Sequence, residues 1–70
     1  MKRSDGWMNI EVGMELKKIN GEIIKIKKMT STMVYVEQKP YIDEVDYYDF
    51  IIFKNTLLSS LEDRIYTLIS

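Results

Sequence analysis

The dipeptide Asn20-Gly21 constrains this chain more than any other feature. Both residues tolerate positive φ, and together they suit a tight turn between antiparallel strands of right-handed twist. On either side lie runs that read as strands, Met14–Ile19 and Glu22–Met29, so the spacing predicts a β-hairpin. A break at Thr30-Ser31 leads into a third run, Thr32–Gln38. Its Val34, Tyr35 and Val36 are of the branched and aromatic types that pack on a pleated surface. Lys39-Pro40 ends that run, since proline has no N–H to give to a ladder.

Alternation assigns the faces. Ile24 and Ile26 share one face of the second strand, as Val34 and Val36 do in the third, so these four are the expected core. Ile23, Lys25, Lys27 and Met29 fall on the other face. The first strand fits less well. A two-residue turn pairs Ile19 with Glu22 and Lys17 with Ile24, which puts Lys17 on the core face and Leu16 on the opposite one. Two resolutions stand open: a bulge that shifts the register, or a sheet partly covered on both faces.

Residues 41–53 admit two descriptions. Tyr47–Phe53 has the composition of a strand that follows a loop. Phe50, Phe53, Leu57, Leu61, Ile65 and Leu68 also recur at helical spacing, and Asp43, Glu44, Asp46 and Asp49 suit the positive end of such a helix. The residue types favour the strand. Beyond it, Asn55 reads as an N-cap, and Leu57, Leu58, Leu61, Ile65 and Leu68 form an apolar stripe. An amphipathic helix over residues 55–69 is the expected close of the fold.

The expected architecture is one α+β domain over residues 1–70. It has a loose lead-in at 1–9 in which Trp7 packs, a β meander over 14–53, and the C-terminal helix over 55–69. The sheet is antiparallel, strongly bent and of three or four strands, a partial barrel. In strand count and order it resembles the Src-homology-3-like small barrels. A chain this short buries only about 60% of its unfolded surface, and such scaffolds usually lean on disulfides, metals or partners. With no Cys and no His, disulfides drop out and zinc nearly so. Packing and self-association remain, and Leu58 and Ile69, at the margin of the stripe, are the expected homodimer contact. The N-terminal charges have no apolar run behind them, and no stretch approaches a membrane span, so a cytoplasmic location is expected (the host cytoplasm for a viral chain).

The same absences bear on chemistry. Without His or Cys the common nucleophile–base arrangements cannot be built, and Ser59, Ser60 and Thr30 have no base in view. Gly6, Gly13 and Gly21 are too scattered for a phosphate loop. The acidic residues lack the Asp-x-Asp-x-Asp-Gly order of a calcium loop. The expectation is a protein that is no enzyme and takes no cofactor or metal.

What remains is charge layout. Residues 1–39 carry eight Lys/Arg against five Asp/Glu, a net of +3, and residues 40–70 carry two against six, a net of −4. Asp43, Glu44, Asp46 and Asp49 are interleaved with Tyr41, Tyr47 and Tyr48. In a protein-docking patch the tyrosines supply buried area and the acids meet Lys/Arg of a larger partner. Regularly spaced carboxylates can also imitate phosphates, which points to a nucleic-acid enzyme as that partner. In its shortness and its Lys/Ile/Tyr-rich, Cys-free composition the chain resembles accessory proteins of phages and mobile elements in low-GC bacteria. That resemblance implies an inhibitor of a host nucleic-acid or defence enzyme. A second reading is a barrel that binds nucleic acid through Lys17, Lys18, Lys25, Lys27 and Lys28, with Tyr35 and Trp7 as stacking platforms. Its pI near 5.3 runs against that reading, since such domains are usually basic. A third is a structural subunit of a homo-oligomer.

Overall fold

The computed structural model describes residues 10–69. The expected lead-in, with Trp7, lies outside the described residues. Five strands and one helix follow in the order β1 (Glu15–Lys18), β2 (Ile23–Met29), β3 (Met33–Gln38), β4 (Phe50–Phe53), α1 (Lys54–Glu62) and β5 (Tyr66–Leu68). The strands form one antiparallel sheet in the order β4-β3-β2-β1-β5. The sheet is open: β4 and β5 are its two edges and do not pair with each other. It has five strands rather than the expected three or four.

The first hairpin turns with three residues, not two. The Gly21 N–H donates to the Lys18 carbonyl at 2.8 Å, and the Lys18 N–H to the Glu22 carbonyl at 2.6 Å. Gly21 sits at φ +98°, where a side chain would be strained. This is the hairpin in which a glycine of positive φ makes the bulge after a turn. The extra residue moves the register by one. Leu16 now faces Ile24, and Lys17 faces Ile23. Leu16 is thereby turned into the core, fully buried, and Lys17 out to solvent. The bulge is what resolves the misfit of Leu16 and Lys17, and the outer face is also partly covered, at Glu37.

A second bulge falls inside β2. Ile26 pairs with Val36 but Lys28 pairs with Tyr35, which leaves Lys27 as the extra residue. One inserted residue swaps the faces of everything beyond it. Met29, expected on the outer face with Lys25, therefore lies opposite buried Val34 and packs on the core. The core cluster is Ile10, Leu16, Ile24, Ile26, Val34, Val36, Leu57 and Tyr66, with Phe50, Ile52, Leu58 and Leu61 packed against it.

The helix is shorter than expected, and its second half is a strand. Its N-cap position is Phe53, with no side-chain hydrogen bond, rather than Asn55, which lies within the first turn. It ends at Glu62, and two hydrogen bonds close it: Arg64 N–H to the Leu61 carbonyl at 3.1 Å and Ile65 N–H to the Ser60 carbonyl at 2.8 Å. Arg64 stands at φ +64°. That pair of bonds around a left-handed residue is the Schellman stop. Tyr66–Leu68 then adds to the free side of β1, pairing Leu16 with Leu68 and Lys18 with Tyr66. Ile65 and Leu68, expected on the helix stripe, are exposed beyond it. Leu57 is fully buried, and α1 touches β3, β4 and β5. The helix carries the chain from one edge of the sheet to the other.

Two outcomes follow. Leu57→Ala leaves a cavity under the helix and lowers unfolding stability by about 2–5 kcal/mol, read from urea denaturation. Arg64→Gly relieves a left-handed side-chain residue and raises stability by about 0.5–1 kcal/mol. A loss of stability in the glycine variant would contradict the cap.

Candidate functional site

The chain between β3 and β4, residues 39–49, does not stand away from the sheet. It folds back as a strap across the outer face, the one opposite α1. Parity places Glu37 on that face, beside Lys25 of β2. Glu37 is nonetheless completely buried, because the strap lies over it. The Ile42 N–H donates to both carboxylate oxygens of Glu37, at 3.3 and 3.2 Å. The Lys27 ammonium stands 3.6 Å from Glu37 Oε2 and donates to the Ile42 carbonyl at 3.4 Å. Lys27 follows core-facing Ile26, so alternation already places it on the outer face with Glu37.

The tyrosines of the sequence cluster have three separate roles. Tyr41 lies under the Lys25 ammonium, 5.4 Å from the ring centroid. Its hydroxyl is buried and, among the described residues, has no partner in ordinary hydrogen-bond geometry, with the Glu15 carboxylate near enough to act on it. Burial first, then the charges of Glu15 and Glu37, raise its pKa. Tyr47 donates its hydroxyl proton to Asp49 at 2.8 Å. Tyr48 meets Tyr35 edge to face, with centroids 4.9 Å apart.

The acids divide in the same way. Asp49 accepts the Gln38 N–H as well as the Tyr47 hydroxyl, and those two bonds hold its pKa below the usual carboxylate range. It ties the end of the strap to the end of β3. Asp43, Glu44 and Asp46 are exposed at the strap tip, with Val45 the most exposed large apolar residue of the described chain. The tip therefore keeps three of the four carboxylates together and free of ion pairs among the described residues.

The lysines also separate. Lys17, Lys25 and Lys28 share the outer face, with Lys28 over the Tyr35 ring at 5.3 Å. Lys27 is held by Glu37. Lys18 is on the other face, opposite buried Tyr66. Of the expected dimer contact, Leu58 is half-buried on the core and Ile69 is exposed past β5. Among the described residues no group of three or more Asp, Glu, His or Cys is placed to hold a metal, and no helix is long and apolar enough to cross a membrane.

One surface was not singled out from sequence. Met33 pairs with Phe53 and Tyr35 with Ile51, so these four form one band on the outer face, continued by Tyr48. Phe53 is 64% exposed, Ile51 41% and Tyr48 43%. Alternation in Phe50–Phe53 carried the signal once the segment was read as a strand: only two of its four apolar residues can face the core. No protein-family model, curated protein or solved structure matches the chain.

The Asp49 bonds give a pH prediction. The unfolded chain holds the Asp49 proton more tightly than the folded one, so this contribution is complete above about pH 4 and is lost as pH falls through the lowered folded value. Between about pH 6 and pH 3, the urea midpoint of the wild type falls more steeply than that of Asp49→Asn. Parallel curves would show that the two bonds do not favour the ionised form.

Proposed function

We propose that this chain is a protein-interaction module, not a catalyst, that docks on a larger protein through the outer face of β3 and β4 and the neighbouring strap tip. The observation that carries the reading is the exposed band of Phe53, Ile51 and Tyr48 at the edge of the sheet, contiguous with half-buried Met33 and Tyr35. Aromatic and long apolar side chains of this kind anchor interfaces, and a small domain rarely leaves them in contact with water without use for them. The edge strand β4 adds backbone groups for a partner strand. The carboxylates of Asp43, Glu44 and Asp46 fit a partner with a basic surface, a nucleic-acid enzyme among them, since they favour approach to cations and repel acidic competitors.

Affinity capture from a nuclease-treated lysate of the source cells tests this, with three baits compared: wild type, Phe53→Asp, and Asp43→Lys with Asp46→Lys. A protein held by wild type and lost with Phe53→Asp supports the reading, and weaker, more salt-sensitive capture by the charge-reversed bait identifies the tip as its rim. Identical capture by all three folded baits would remove this surface from consideration.

A further inference from the structure

The strap contacts the outer face at the residues best suited to bind a nucleic-acid strand. Tyr41 lies against Lys25, the Ile42 backbone against Lys27, and Tyr48 against Tyr35. Lys17 and Lys28 flank them on the same face, and Glu15 and Glu37 are the acids among them. Lysines around an aromatic ring are the elements with which small sheets hold single strands, the cations following the backbone and the ring stacking a base. The strap brings two aromatic rings to this ground and carries three free carboxylates at its tip.

The seat is of a kind that can be exchanged. A buried ion pair offsets its desolvation only with excellent geometry, and here the ammonium stands 3.6 Å from the carboxylate. Seating the strap also buries the Tyr41 hydroxyl with no partner in ordinary hydrogen-bond geometry among the described residues and beside the like-charged Glu15 and Glu37 carboxylates, a weak anchor. Beside the strap, a cleft of about 270 Å³ between Val45 and the Val12–Gly13 turn is floored by Lys25, Ile26 and Lys27, so the face is already reached from one side.

We infer that the strap is a built-in competitor: it occupies a face that binds the phosphate backbone of single-stranded nucleic acid, and binding there requires the strap to lift. The inference goes beyond the docking reading, which concerns the Phe53 band and the strap tip rather than the ground beneath the strap. A partner that engages the tip would help to uncover the lysines, coupling the two surfaces.

Fluorescence anisotropy with a labelled oligo-dT of about 20 nucleotides tests it. Ile42→Pro removes the amide that Glu37 accepts and leaves the sheet residues intact; a second release replaces residues 41–48 with a short Gly-Ser turn. Each variant is first shown to unfold cooperatively in urea. The expected result is binding at least about tenfold tighter than wild type, with log K falling against log salt at a slope of about −3 for four lysines. Lys25→Glu with Lys28→Glu in the released background should abolish the gain. Released, folded variants that bind no tighter than wild type overturn the inference, as does a gain that survives the charge reversals.

Discussion

Glu37 is a carboxylate without solvent exposure on the side of the sheet that carries no helix, and the arrangement of residues 39–49 depends on it. A lone buried carboxylate would be too costly to keep, so something must supply charge and donors. Lys27 supplies the charge, and the Ile42 amide supplies the hydrogen bonds. Lys27 is on the outer face by alternation and is also the extra residue of the β2 bulge. The same insertion turns Met29 back into the core. A single added residue thus resets which side chains pack on the core beyond Ile26.

The core face depends on a different adjustment. Leu16 reaches the interior only because the first hairpin turns through three residues, and β5 pairs with the strand so placed. The helix between β4 and β5 spans from edge to edge, burying Leu57 against the sheet. With about 60% of unfolded surface buried at this size, each such anchor is a large share of total stability. Apolar residues left outside are accordingly informative. Phe53 and Ile51 face away from a core that has the residues to fill it, which is why the β3–β4 face is the stronger docking candidate.

Much of the fold was legible in the chain. Asn20-Gly21 marked the hairpin, and the alternation of Ile24, Ile26, Val34 and Val36 named four of the seven fully buried side chains among the described residues. Both bulges were hidden, because an inserted residue leaves no composition signature; only the misfit of Leu16 and Lys17 hinted at the first. The helix stop was hidden too. Arg64 occupies a left-handed position where glycine is the usual signal, and the stripe Leu57, Leu61, Ile65, Leu68 runs through it at helical spacing. What ended the helix was tertiary: the unpaired side of β1 offered ladder bonds to residues 66–68. The acidic cluster and the lysine face were both legible as residue sets. Their contact was not, since nothing local to residues 39–49 shows that the loop folds back over the strand it has just left.

The seat of the strap on Glu37 is the claim on which the rest of the site depends. Amide hydrogen exchange at Ile42 reads it most directly. In the wild type this amide should exchange far more slowly than those of Asp43 and Asp46 at the tip, and Glu37→Gln should weaken that protection without altering exchange in β2 and β3. An Ile42 amide that exchanges as fast as the tip in the folded wild type would contradict the account, leaving the strap loose and the lysine face open from the start.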